Sequence, residues 1–123
     1  PMNHKFNITE LDEKIIEVLN TDAKNGLKHS YVAYKYFTLM DNHFQAMADC
    51  LAPGAHYVFV VGDSDVSNVH FNTASYLAEQ AAQYGLTLTN RWGYLIKNRF
   101  MRFDRKGRGG KIDLDWVLDF QKE

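Results

Sequence analysis

Apolar residues recur at helical spacing in two stretches near the start of the chain. The first stretch predicts a helix that Thr9 caps and that ends near Asn20. A polar loop follows, so residues 1–29 are expected to form an N-terminal helix and loop. A broader apolar stripe then predicts a longer helix over about 30–51, which Pro53 ends. The apolar positions that define the two helices are Leu11, Ile15, Val18 and Leu19, then Tyr36, Phe37, Met40, Phe44, Met47 and Leu51.

A continuous apolar run at 57–61 differs in character from the two helical stripes. Its residues are β-branched or aromatic, and no charged or amide side chain interrupts them. Such a run is typical of a strand covered on both faces. It therefore predicts a parallel strand within an α/β sheet.

The second half of the chain predicts one more helix and two more strands. Asn72 or Thr73 can cap the helix, and Gly85 ends it in the position where helices favour glycine. Alternating apolar residues then predict strands over 86–96 and 115–121. The resulting order is α-α-β-α-β-β, with the last two strands antiparallel. Because three strands alone leave an inner edge unpaired, the pattern indicates the back half of a larger sheet.

Length and composition are those of a single globular domain. The chain has 123 residues, 46% hydrophobic and 24% charged, which excludes a disordered chain and a second full domain. No apolar run approaches the length of a membrane span, no leader sequence is evident, and the single cysteine excludes an internal disulfide. We expect a soluble cytoplasmic protein in which residues 1–123 form one domain or part of one.

The net charge of −1 conceals a strong division along the chain. Residues 1–90 carry five basic and ten acidic side chains, whereas 91–111 carry eight basic side chains against Asp104 alone. This division points to a polyanionic partner, and an interleaved aromatic residue such as Phe100 would suit stacking on a base. The alternative is a solvated basic loop over 98–112. The candidate nucleic-acid-binding residues are Lys97, Arg99, Arg102, Arg105, Lys106, Arg108 and Lys111.

The turn Gly62-Asp63-Ser64 directly follows the predicted parallel strand. Open α/β sheets bind ligands at the carboxyl ends of parallel strands, which makes this turn a candidate site. The alternative is that Gly62 permits a turn while its two polar neighbours only satisfy backbone groups. The histidines have no cysteine or glutamate at ligand spacing, so no metal site is expected.

Several short motifs occur in an order and spacing that resemble one enzyme family. They are Tyr36-Phe37-x-x-Met40, Ala52-Pro53-Gly54-Ala55, the run from Tyr57 to Ser64, Thr73-Ala74-x-x-Leu77-Ala78, Tyr84-Gly85-Leu86, the run from Ile96 to Arg102, the run from Gly107 to Lys111, and Asp115-Trp116-Val117-Leu118. Together they cover about residues 30–122. This stretch resembles the latter half of the S-adenosylmethionine-dependent methyltransferases that modify exocyclic amino groups of DNA bases, of the adenine-N6 and cytosine-N4 type.

The resemblance implies an α/β fold that is the C-terminal portion of a Rossmann-like methyltransferase sheet. It implies that Gly62, Asp63 and Ser64 support the pocket of the target base and that Phe100 packs on the extruded base. DNA is then the expected partner, and S-adenosylmethionine is the cofactor of the complete enzyme. No catalytic residue is assigned within this chain.

Two motifs of that family are missing from the sequence. The family holds its cofactor with a Gly-rich loop and grips the amino group with an Asp/Asn/Ser-Pro-Pro-Tyr tetrad. Pro1 and Pro53 are the only prolines here, and no strand-glycine-helix element opens the chain. We therefore expect this chain to bind no cofactor alone and to be inactive alone.

The chain would then be a split subunit, a truncated gene product or a fragment of the enzyme, and activity would need a complementary chain that carries the two missing motifs. The alternative is a non-catalytic nucleic-acid-binding or self-associating module, in which a homodimer covers the open edge of the sheet. A parent enzyme that acts on RNA is a further alternative, because the same fold and amino chemistry serve both polymers.

Overall fold

The computed structural model describes residues 6–95 and 114–123. It is a mixed α/β structure in which two helices precede a small antiparallel sheet. A two-stranded hairpin and a third helix follow the first strand of that sheet along the chain. The elements are α1 (Thr9–Thr21), α2 (Gly26–Cys50), β1 (His56–Gly62), β2 (Ser64–Val66), β3 (Val69–Phe71), α3 (Thr73–Ala82), β4 (Leu86–Leu95) and β5 (Leu114–Lys122).

Helix α1 forms where the apolar periodicity predicts it, but its start differs in detail. Thr9 is the first helical residue, and Ile8 holds the N-cap position without a side-chain bond. Asp12 instead accepts a hydrogen bond at Oδ1 from the Phe6 backbone N–H (3.1 Å), which fixes the segment entering the helix. The residues that α1 buries are Leu11, Ile15 and Val18.

Helix α2 begins at Gly26, earlier than the predicted start near residue 30. Asp22 closes the short connection, because its Oδ1 accepts hydrogen bonds from the Lys24 and Asn25 backbone N–H groups (3.1 and 2.8 Å). The predicted loop is therefore too long at its C-terminal end. Apolar periodicity does not register this first turn of α2, since its buried position is Gly26 and its apolar Leu27 is exposed.

The main sheet has the order β1-β5-β4, and both neighbouring pairs are antiparallel. The predicted antiparallel pairing of the last two strands is confirmed. The predicted parallel strand at 57–61 is wrong within the described residues, because β1 pairs antiparallel with β5, from His56 opposite Gln121 to Gly62 opposite Asp115. Since β1 and β4 are each antiparallel to β5, they run in the same direction. The chain between them crosses over through α3.

One face of β1 is covered and the other is exposed. Phe59 packs into the core, whereas Val58 and Val60 are 52% and 51% exposed. Helix α2 reaches the covered face through Phe44, whose ring centroid lies 5.9 Å from that of Phe59. Helix α3 lies on the same side. The prediction of a strand covered on both faces is therefore wrong within the described residues, since both packing helices lie on one side of the sheet.

The hairpin β2–β3 is absent from the predicted order of elements. Its turn residues Ser67 and Asn68 have φ angles of 49° and 64°, and a two-residue hairpin turn of type I′ needs positive φ at both positions. Val69 and Phe71 anchor the hairpin in the core. Strands of three residues are too short for alternation to reveal them, which explains the omission.

Aromatic rings join the helices, the hairpin and the sheet into one core. Toward the sheet, Phe44 lies against Phe120, with 6.1 Å between ring centroids. Toward the hairpin, Phe37 lies against Phe71, with 6.3 Å between centroids. The buried Gln80 donates a hydrogen bond from Nε2 to the Phe37 backbone oxygen (2.9 Å), so an amide from α3 fixes the middle of α2.

Candidate functional site

The turn Gly62-Asp63-Ser64 joins β1 to the hairpin at the carboxyl end of β1. Asp63 is half-buried, and its two carboxylate oxygens have different partners. Oδ1 accepts a hydrogen bond from the Ala74 backbone N–H (3.1 Å), and Oδ2 accepts one from Trp116 Nε1–H (3.4 Å). The side chain therefore links the first turn of α3 to strand β5.

Asp63 takes the capping role that the sequence pattern assigns to Asn72 or Thr73. Asn72 holds the N-cap position of α3, but its Nδ2 donates to Glu10 Oε1 (3.1 Å) and its side chain makes no cap bond. A carboxylate near a helix N-terminus is also stabilised by the helix dipole. The predicted start of α3 is confirmed and the predicted capping residue is wrong. Local sequence cannot reveal a capping group that lies outside the helix.

Arg91 lies beside this turn and is the only one of the eight basic residues of 91–111 within the described part of the chain. Its guanidinium carbon is 4.1 Å from the centroid of the Trp116 ring, and its Nη1 donates to Ser75 Oγ (2.9 Å). The cation–π contact and the hydrogen bond hold the side chain against the sheet. Arg91 thus strengthens the junction of α3 with β5.

Most of the other sequence-predicted site residues lie outside the described residues. This applies to the basic loop at 98–112, to Lys97 before it, and to each candidate ligand for phosphate or base among them. The residues concerned are Phe100, Lys97, Arg99, Arg102, Arg105, Lys106, Arg108 and Lys111.

Gly62 and Ser64 also line an apolar pocket of about 310 Å³. Helix α2 forms one wall through residues that include Val32 and Tyr36, and the hairpin and the start of α3 form the rest. Burial raises the pKa of the Tyr36 phenol. The sequence pattern missed the α2 wall, because aromatic residues at helical spacing are the same whether they fill a core or line a pocket.

Asp22, His29 and Ser67 meet where the α1–α2 connection touches the hairpin turn. Ser67 Oγ donates to Asp22 Oδ2 (3.0 Å) and lies 2.7 Å from His29 Nδ1. In a nucleophilic relay the carboxylate would orient the histidine, and the histidine would take the serine proton. Here the Asp22 carboxylate accepts the hydrogen bond of Ser67 instead, and its Oδ2 lies 3.7 Å from His29 Nδ1. The cluster therefore fastens the hairpin to the helix connection.

The contribution of this cluster to stability is expected to depend on pH. The hydrogen bond from the Asn25 backbone N–H, followed by that from Ser67, lowers the pKa of Asp22 below its usual 3.8. A lowered folded-state pKa stabilises the fold above the unfolded pKa, and the stabilisation disappears as the pH falls through the folded value. The difference in free energy of unfolding between the unmodified chain and Asp22→Asn should therefore shrink from about pH 6 to about pH 3. Urea unfolding at several pH values measures it, with the exposed Asp49→Asn as control. A constant difference across this range would contradict the expectation.

Replacing Asp63 with alanine is expected to lower the free energy of unfolding by about 1–2 kcal/mol. The substitution leaves the Ala74 N–H and the Trp116 indole N–H without their acceptor. The matched control is Asp65→Ala, which removes an exposed hairpin carboxylate that pairs with His70. That change should cost about 0.5 kcal/mol or less. Equal losses in the two variants, measured by urea unfolding, would show that Asp63 does not secure α3.

Three comparisons with known proteins identify no relative of this chain. A scan against family models, a search of curated proteins and a search of solved structures found no match. Within residues 6–95 and 114–123, no three or more His, Cys, Asp or Glu side chains are placed to hold a metal ion. The helices of that part of the chain include none with the length and apolar character needed to cross a membrane.

Proposed function

We propose that this chain is the C-terminal part of an S-adenosylmethionine-dependent methyltransferase that modifies an exocyclic amino group of a DNA base. The ordered motifs between residues 30 and 122 are the basis of the proposal. The missing Gly-rich loop and Pro-Pro-Tyr tetrad would then be supplied from outside this sequence, for example by a complementary polypeptide. On this view the fold is the end of a Rossmann-like sheet.

The observation that carries the proposal is the crossover between β1 and β4. These two strands run in the same direction within one sheet, and the chain passes between them through α3. Doubly wound sheets are built from strand–helix–strand crossovers between strands of the same direction, although here the antiparallel β5 lies between the two strands. Purely antiparallel hairpin folds do not need such a connection. The crossover therefore favours an α/β parent over an antiparallel one.

The free edge of β1 gives the proposal its second support. Among the described residues no strand pairs with the edge of β1 that faces away from β5. The strand His56–Gly62 carries no Lys, Asp, Glu or Pro that would protect an exposed edge. Val58 and Val60 are half exposed beside it. A complementary polypeptide that adds strands here would pair the edge, and a helix of that polypeptide packed on the outer face would cover the valines.

Complementation of methyl transfer tests the proposal. The chain is mixed with a polypeptide that carries the Gly-rich loop and the Pro-Pro-Tyr tetrad, and transfer of labelled methyl from S-adenosylmethionine to DNA is measured. We expect activity from the mixture and from neither component alone. Val60→Lys should abolish it by placing a charge on the sheet face that the complement must cover, whereas Leu27→Lys, at an exposed apolar site on α2, should not. Failure with every tested front half would refute the split enzyme.

A non-catalytic nucleic-acid-binding module is the second candidate, and the division of charge favours it. Eight basic residues fall within 91–111, against a net charge of −5 over residues 1–90. The triple variant of Arg99, Arg102 and Arg105 to alanine should weaken DNA binding. The slope of log K against log salt concentration should also become shallower by about 2–3, about one for each phosphate contact that is lost. No DNA binding by the unmodified chain at low salt would remove this candidate.

A further inference from the structure

The apolar pocket at the carboxyl end of β1 has the size of a small-molecule site. Ligand pockets span about 300–1,000 Å³, and apolar cavities of only about 150 Å³ bind benzene. This pocket holds about 310 Å³. Its volume suits a molecule of one or two rings.

The pocket lining selects for flat, uncharged molecules. Tyr36, Phe37 and Phe71 contribute aromatic walls, which favour ring-to-ring contact at their faces and edges. Among the described residues, no side chain that lines the pocket carries a charge. A charged ligand would lose its hydration there without gaining a partner.

Ser64 and Thr73 place two neighbouring hydroxyl groups in the pocket lining, which also includes Tyr36. Ser64 Oγ and Thr73 Oγ1 lie 3.4 Å apart, which is long for a bond between hydroxyl groups. Thr73 Oγ1 is also 3.4 Å from the Phe71 backbone oxygen. Both hydroxyls can therefore form a shorter hydrogen bond to another group. A single polar atom of a ligand placed between them could bond to both.

Access to the pocket runs past the outer surface of α2. Val32 and Tyr36 line the pocket and are 57% and 41% exposed, so they form its rim. Leu39 lies further along the same helix, is 55% exposed and is not among the lining residues. Val32 and Leu39 thus form a matched pair for substitution, inside and outside the site.

We infer that this pocket binds an uncharged aromatic molecule of one or two rings that carries a single polar group, of the phenol or indole class. Nucleobases match it poorly, because their several ring nitrogens and amino or carbonyl groups outnumber the hydroxyls of the lining, and some would be left unpaired. The inference does not rest on the proposed methyl-transfer function.

Titration of the full chain with phenol and indole, followed by amide NMR, tests the inference. We expect saturable shifts centred on Gly62, Ser64 and Thr73, with a Kd of about 0.1–1 mM for ligands of this size. Cyclohexanol should bind more weakly than phenol for lack of ring contacts. Benzoate and 9-methyladenine should bind at least about ten-fold more weakly than indole. Unsaturable or scattered shifts, or 9-methyladenine binding as tightly as indole, would overturn the inference.

Three variants locate the site. Val32→Trp should weaken indole binding about ten-fold or more by filling the rim, whereas Leu39→Trp should leave it unchanged. Ser64→Ala should weaken phenol about five-fold and leave toluene unaffected, because only phenol uses the hydroxyl. The NMR spectrum of each variant reports that it remains folded. Equal binding by Val32→Trp and Leu39→Trp, together with no effect of Ser64→Ala, would place the ligand elsewhere.

Discussion

Replacing Phe44 with alanine should lower the free energy of unfolding by about 3–5 kcal/mol, a large part of the stability of a domain this size. Phe44 is fully buried between α2 and the sheet. Its ring centroid lies 5.9 Å from Phe59 and 6.1 Å from Phe120. Alanine would leave a cavity bordered by other rings, which cannot collapse without moving the helix. Urea unfolding followed by circular dichroism measures the loss.

Two further variants make the Phe44 expectation decisive. Leu39→Ala, at an exposed position of the same helix, should change the free energy of unfolding by about 0.5 kcal/mol or less. Phe44→Leu refills most of the space and should cost markedly less than alanine, which keeps the comparison measurable if the alanine variant does not fold. A loss for Phe44→Ala as small as that for Leu39→Ala would mean that α2 does not pack on the sheet through this ring.

Gly26→Ala is expected to destabilise the fold by about 2–3 kcal/mol, although alanine is the better helix former. A Cβ on Gly26 would lie 2.6 Å from the Leu19 backbone oxygen and 2.9 Å from the Val18 backbone oxygen. Backbone atoms of α1 cannot move aside as a flexible side chain can, so the two helices must separate. Local propensity alone would give a gain of up to about 1 kcal/mol, so the sign of the change decides between the two accounts.

Gly54 provides the comparison for Gly26. It has φ of +86°, and a Cβ there would meet no atom within 4 Å. Gly54→Ala should therefore cost only the strain of a left-handed residue, about 1–2 kcal/mol. Thermal and urea unfolding of both variants would show whether close packing or backbone conformation is the stronger constraint. A stabilised Gly26→Ala would show that the helices do not approach so closely.

The elements that sequence predicts best are the long ones with a repeated pattern. The stripe from Phe37 to Phe44 locates α2, and alternation locates β4 and β5. The errors have physical causes. The apolar run of β1 suggested cover on both faces, but Val58 and Val60 are exposed, and periodicity cannot say on which side the helices lie.

The candidate site was predicted only in part, because its contacts are long-range. Sequence drew attention to Gly62, Asp63 and Ser64 as a turn after a strand. It could not show that Asp63 binds Trp116, since these residues are distant in the chain. The wall that Val32 supplies to the pocket is likewise invisible until α2 is placed beside the hairpin.

The central position of the last strand has a consequence for synthesis on the ribosome. Strand β5 is the middle strand of the sheet but the last of the described strands along the chain, and it pairs with β1 from roughly half a chain length away. Such distant pairing slows folding relative to the local packing of α1 on α2. Until β5 has been synthesised, both edges of β1 remain unpaired. Because β1 carries no Lys, Asp, Glu or Pro, nothing in its sequence opposes pairing with a neighbouring nascent chain. Early capture of β1 by a partner strand or a chaperone would shorten that interval.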